Sequence, residues 1–172
     1  MGTIHHTYFT QQVGWSQERF SQMEGGAGAF CAVLGALLGG FLVDRLGVRR
    51  IITISVLLIT ALCLGMGVSE ELRTSEIYVV VYLLGVQFLI SAQMVAGFSL
   101  FMRLCSVAVA GTQFTLYMAA SNFARVGGAR VVGALSDEGY AVLFGTMGTA
   151  ILLSLPLLYA IPERRPEMPP SE

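Results

Sequence analysis

The sequence contains no lysine. Its ten basic residues are all arginine, set against eleven acids in 172 residues. Charged residues make up 12% of the chain, where a soluble domain carries about 25%. A water-exposed fold of this length has too few charges here to cover its surface. Soluble enzymes and disordered tails are therefore poor fits. A net charge of −1 leaves no basic footprint, so nucleic acid is not an expected partner. Cysteine is scarce: Cys31, Cys63 and Cys105 lie in separate apolar segments, without CxxC or metal-ligand spacing. They read as small buried apolar side chains. His5-His6 is an isolated pair in a polar segment, and neither a metal nor a cofactor is expected. The first twenty residues lack the apolar stretch of a signal peptide. Met1-Gly2 fails as a myristoylation start because His6 stands where Ser or Thr is needed. No paired acids, histidine cluster or nucleophile motif share one depth, so no enzymatic chemistry is expected.

What the chain does have is apolar length. Apolar residues make up 55% of it, and the mean hydropathy is +0.71. A helix crossing a bilayer takes about 20 such residues. Charge-free runs extend from Gly25 to Val43, Ile51 to Ser69, Ile77 to Met102 and Gly139 to Ile161. A less uniform stretch follows the turn at Gly111-Thr112 and carries Arg125 and Arg130. These runs predict an all-α polytopic membrane helix bundle with five transmembrane helices, at about 21–43, 51–69, 77–102, 112–136 and 139–161. A polar segment, 1–20, precedes them, and a Pro-rich tail, 162–172, follows. Arg45, Arg49, Arg50, Arg103, Arg164 and Arg165 fall on one side, while Arg19 and Arg73 fall on the other. The positive-inside rule then predicts a cytoplasmic C-terminus and an external N-terminus; the expected location is the cytoplasmic (inner) membrane. Tyr8 and Trp15 suit the outer interface. Two stripes of small residues, Gly35-x-x-x-Gly39 and Ala120, Ala124, Gly128, predict close helix packing.

Polar groups within the spans are the candidate solute contacts. An arginine at mid-span costs about 2.5–3.5 kcal/mol on insertion scales. Arg125 lies near the middle of its helix, with Ser121 and Asn122 one turn earlier on the same face. It is expected to contact an anionic solute group or a carboxylate of the coupling machinery, or else to form a structural ion pair with a carboxylate or helix C-terminus. Arg130 is turned about 140° away and snorkels toward the outer end. Gln87 and Ser91 share a face of the third span, with Gln93 turned about 120° from Gln87; they bind solute or neighbouring helices. Glu24, beside Gly25-Gly26, is a candidate proton-coupling carboxylate or a plain helix-end acid.

The most specific segment is Gly40-Phe41-Leu42-Val43-Asp44-Arg45-Leu46-Gly47-Val48-Arg49-Arg50. It resembles the loop signature of the major facilitator superfamily, G-x-L-x-D-R-x-G-R-[RK], and departs at Val48, where the family carries a basic residue. Gly47 permits the sharp turn, Asp44 can sit near an adjacent helix N-terminus, and Arg45, Arg49 and Arg50 can meet helix-end carboxylates or lipid phosphates. The resemblance implies that Gly40, Asp44, Arg45, Gly47, Arg49 and Arg50 form a cytoplasmic gating loop. A second stretch, Thr112-Gln113-Phe114 through Ser121-Asn122-Phe123-Ala124-Arg125-Val126-Gly127, resembles the eleventh helix of the muropeptide permease (AmpG-like) branch, which includes acetyl-CoA transporter relatives. The spans then correspond to helices 8–12 of that fold; helices 2–6 are the competing register.

The resemblance implies a permease working by alternating access, coupled to protons, on a small or medium-sized anionic solute such as a peptidoglycan fragment. Its partners would be the lipid bilayer, the solute and protons. Five spans build one wall of a site that two six-helix halves enclose. The chain is therefore expected to be a piece of a transporter that needs its N-terminal half, or a half-carrier that pairs with a second subunit. The other readings are a non-transporting membrane interaction or scaffold protein and an inactive transporter fragment.

Overall fold

The computed structural model describes residues 16–69, 71, 75–135 and 139–161. Most of the polar segment at 1–20 and all of the tail at 162–172 lie outside the described residues, as do His5, His6, Tyr8, Trp15, Arg73, Arg164 and Arg165. Among the described residues every regular element is helical: α1 (Gln17–Leu46), α2 (Val48–Val68), α3 (Glu76–Leu104), α4 (Ala110–Leu135), α5 (Tyr140–Leu152) and α6 (Leu155–Ala160). Four stretches are long and apolar enough to cross a membrane: Gln17–Leu46, Val48–Val68, Glu76–Leu104 and Ala141–Ala160. With 26 residues, α4 has the length but not the same apolarity, because it carries Arg125, Arg130 and four glycines.

Local chemistry explains where the helices begin, bend and stop. The Ser16 hydroxyl accepts from the Arg19 N–H at 3.2 Å and caps α1. One turn later the backbone becomes π-helical over Gln22–Ala27, and the Gly28 N–H donates to the Met23 carbonyl, five residues back. The helix then runs through Asp44 to Leu46, since one carboxylate near a helix end does not break it. Gly47 ends it with a φ of 88°, a conformation that costs an L residue a steric clash. The Gly47 N–H still bonds to the Val43 carbonyl at 2.9 Å, and α2 starts one residue later.

The final apolar run is expected to be one span, yet it folds as two helices. Pro156 has no N–H, and its ring clashes with the carbonyl four residues back; α5 therefore stops at Leu152. Leu153 and Ser154 form a turn, with the Ser154 N–H on the Ile151 carbonyl at 3.1 Å. Then α6 begins, with Pro156 in its first turn, where no donor is required.

Packing fixes the directions. Gly28, Gly35, Gly39 and Val43 form the buried stripe of α1. A Cβ on Gly35 would run into the Phe88 carbonyl, and one on Gly39 would lie 2.6 Å from the Ala92 Cα. So α1 and α3 run parallel in backbone contact, as the Gly-x-x-x-Gly spacing leads one to expect. Antiparallel to α2, α5 meets it where Gly67 approaches Gly145 and Gly148 approaches Cys63 and Leu64. Between these pairs sits the main core: Phe20, Ile59, Cys63, Met66, Val79, Tyr82, Leu83, Val86 and Phe144. Tyr82 meets Phe144 edge to face at 5.7 Å, a geometry favoured by the ring quadrupoles. A second cluster, Val43, Val48, Ile51 and Ala96, closes the end nearest Gly47. Outward, Phe30, Val33, Leu37 and Phe41 of α1 are more than half exposed, as suits a surface solvated by lipid.

The two ends of the bundle differ in charge. The end around Gly47 carries, among the described residues, Arg45, Arg49, Arg50 and Arg103 and the acid Asp44; the opposite end carries Glu18, Glu24, Glu71 and Glu76 with Arg19. Arg19 pairs with Glu76 there.

Candidate functional site

Four elements meet around a cleft of about 610 Å³. Ile59 comes from the middle of α2, and Ile90 and Gln93 from the middle of α3. Ser121, Ala124 and Arg125 come from α4, and Ala150, Ile151 and Ser154 from the broken last helix. The cleft therefore lies near the midplane of the long helices. Its volume falls within the range of about 300–1,000 Å³ typical of small-molecule sites.

The start of α4 is held by polar and aromatic contacts. The Gln113 side-chain oxygen accepts the Ser106 N–H at 2.6 Å, closing the connection from α3. Phe114 meets Phe98 at 6.4 Å, and Tyr117 meets Phe101 at 5.3 Å. Beyond that point every residue from Asn122 to Val131 is exposed. A Cβ added to the glycines at 127, 128 or 133 would meet nothing within 4 Å. Of the Ala120, Ala124, Gly128 stripe, Gly128 therefore has, among the described residues, no close helix contact of the kind seen at Gly35, and both alanines are exposed.

Arg125 points back across the cleft. One guanidinium nitrogen lies 3.4 Å from the Met94 Sδ, a weak acceptor. Among the described residues Arg125 has no carboxylate partner. The Ser121 hydroxyl, one turn earlier, donates to the Tyr117 carbonyl at 2.9 Å. Across the cleft, the Ser154 hydroxyl donates to the Ile151 carbonyl at 2.6 Å.

Of the residues singled out in the sequence, the structure brings Gln93, Ser121 and Arg125 together. It does not bring in the others. Asn122 is exposed and outside the cleft lining. Gln87 lies against α1, its Cγ and Nε2 each 3.7 Å from where a Gly28 Cβ would be. Ser91 is half-buried and outside the lining. Glu24 is half-buried within the π-helical turn of α1, also outside it. Arg130 is exposed farther along α4. Ser154 is the contributor that sequence reasoning missed; the signal was Pro156, which forces the turn that carries Ser154 to the cleft.

The loop candidates divide in the same way. Arg45 lies over the Phe41 ring, 4.6 Å from its centroid, a cation–π contact. Arg49 donates to the Ile161 carbonyl, and the Thr53 hydroxyl meets the Tyr159 hydroxyl at 3.1 Å. The start of α2 thereby holds the end of the last helix. Asp44 is exposed in the last turn of α1, and the N-cap of α2 is Gly47, without a side-chain cap. Arg50 is exposed, and Gly40 has room, with Val95 Cγ1 3.8 Å from a Cβ position. Among the described residues no group of three or more His, Cys, Asp or Glu side chains could hold a metal ion.

Comparison with known proteins adds one finding. The family model described as Major Facilitator Superfamily matches residues 1–172. Neither the curated proteins nor the solved structures give a match.

Proposed function

Since the chain belongs to the Major Facilitator Superfamily, a superfamily of membrane transporters, we propose that it moves a small or medium-sized anionic solute by alternating access through the Arg125 cleft. The protein is an integral membrane protein with several apolar helices long enough to span. The observation that carries the solute reading is Arg125 itself. It is a mid-depth guanidinium without a carboxylate partner among the described residues, and it faces a cleft that also holds Gln93, Ser121 and Ser154. A cation in a low-dielectric setting gains most from an opposite charge, and the planar fork of arginine suits a carboxylate or phosphate.

Supporting the finer assignment are the Thr112-Gln113-Phe114 stretch and the positive end around Gly47. On this reading the spans are helices 8–12 of a muropeptide-permease-like carrier in the cytoplasmic membrane. The Gly47 end and the C-terminus face the cytoplasm. A peptidoglycan-derived sugar acid is then the first solute to test. Glu24, the half-buried acid of α1, is the coupling carboxylate in this scheme.

Uptake into proteoliposomes containing the full chain tests both residues. Arg125→Ala abolishes accumulation of the sugar acid, and Arg125→Lys retains a fraction of it. Normal uptake by the alanine variant overturns the solute reading. Glu24→Gln leaves exchange of solute intact but removes its response to an imposed pH gradient. An unchanged response rejects Glu24 as the coupling group.

A further inference from the structure

We propose that the solute of the Arg125 cleft carries hydrogen-bond donors, hydroxyl or N–H groups, beside its acidic group, together with an apolar flank. This deepens the transport reading and rests on it only for the cleft being the solute site. The inference comes from the direction of two hydroxyl protons. Serine has one donor proton and two acceptor lone pairs. Ser121 spends its proton on the Tyr117 carbonyl at 2.9 Å, and Ser154 spends its own on the Ile151 carbonyl at 2.6 Å. Serines inside helices commonly bond back as Ser121 does, and Ser154 does so within its turn. What both hydroxyls present to the cleft is therefore a lone pair, an acceptor that asks for a donor.

Arg125 presents the opposite character. A guanidinium has five donors and no acceptor, and one nitrogen is turned toward the Met94 sulfur. Among the described residues the rest of the fork has no carboxylate partner and is open to an acidic group. Ser121 precedes Arg125 by one turn, about 6 Å along the axis. A ligand lying along α4 therefore meets a cation and, one turn away, an acceptor oxygen. Ser154 supplies a second acceptor from the opposite wall. Gln93 can serve either role. Ile59, Ile90 and Ile151 complete the cleft with apolar surface.

This pattern discriminates among anions. Sulfate satisfies Arg125 but brings only acceptor oxygens toward the two serine lone pairs. A plain alkyl carboxylate satisfies Arg125 and the isoleucines but leaves both serine oxygens unpaired once water is displaced. A hydroxylated or amide-bearing carboxylate with an apolar face satisfies all three parts.

Pantoate and 3,3-dimethylbutyrate form a suitable matched pair. They share one branched carbon skeleton and one carboxylate, and differ by two hydroxyl groups. The full chain in lipid nanodiscs is titrated with each, and with sulfate and the uncharged pantolactone. Pantoate should bind at least tenfold tighter than 3,3-dimethylbutyrate or sulfate, and pantolactone should not bind measurably. In the Ser121→Ala/Ser154→Ala double variant the preference for pantoate should fall below threefold, with 3,3-dimethylbutyrate binding unchanged. Equal binding of pantoate and 3,3-dimethylbutyrate by the unaltered chain overturns the donor requirement while leaving the anion site standing. So does an undiminished preference in the double variant. Failure of every anion to bind overturns the Arg125 site and this inference with it.

Discussion

Two helices of this protein carry the same kind of signature and put it to different use. In α1, Gly35 and Gly39 are spaced four apart, and each lies so close to α3 that a Cβ would strike Phe88 or Ala92. In α4, Ala120, Ala124 and Gly128 have the same spacing, yet the glycine has open space around it and both alanines are exposed. Small side chains permit close approach; they do not supply the partner. What differs is the company the stripe keeps. Around Gly35 the other faces of α1 are uniformly apolar and can meet lipid. Around Gly128 the same turns carry Arg125, Asn122 and Arg130, and α4 is held at its start through Gln113, Phe114 and Tyr117 while its residues from Asn122 to Val131 are exposed. The contrast separates a closely packed joint from an exposed face that, among the described residues, no helix covers as tightly.

The contrast can be broken most sharply at Gly35. Gly35→Ala forces backbone apart at a joint with no slack, and overpacking of this sort costs about 1–3 kcal/mol. Thermal unfolding of the chain in detergent should show the loss, and an unchanged midpoint would mean that α1 and α3 are not in backbone contact. Next in size is the tether of α4. Phe101→Ala removes the ring against Tyr117, worth about 0.5–1.5 kcal/mol beyond its buried area. Hydrogen exchange should then quicken in α4 while the amides around Cys63 and Tyr82 keep their protection. Quickening spread evenly over all helices would show that α4 is as firmly built in as the rest. The smallest effect belongs to Gly128→Ala. With no neighbour to clash, the new methyl only improves helix propensity, a gain of up to about 1 kcal/mol. A destabilisation rivalling that of Gly35→Ala would erase the distinction between the two stripes.

How far the sequence revealed this can be traced residue by residue. Charge-free runs announced the long helices because bilayer thickness imposes a length on them. The Gly35–Gly39 joint was legible because its whole local context agrees with it. Arg125, Ser121 and Gln93 were legible as polar groups in apolar helices, and the cleft collects these three. Glu24, Gln87 and Asn122 share that character but not that place. Helical periodicity says which residues lie on one face of one helix; it does not say which face of another helix stands opposite. Gln87 is turned toward Gly28 by the parallel packing of α1 and α3, a long-range relation that no local pattern contains. Ser154 was missed for a related reason. A proline near the end of an apolar run suggests a stop, but here the chain resumes its helix after one turn, and that turn carries a hydroxyl into the cleft.

The π-helical turn at Gln22–Ala27 sets the phase of everything before it. A helix widened in this way holds one residue more than an α-helix would, and each residue advances the winding by about 100°. With that surplus residue in place upstream of Gly28, Phe20 lies in the core and Arg19 pairs with Glu76. Deleting one residue between 22 and 27 would leave the glycine joint in register while rotating the start of the helix by over a quarter turn, swinging Phe20 out of its seat beside Met66 and Tyr82. The opening turns of α1 thus have their own angular setting, adjustable separately from the joint below.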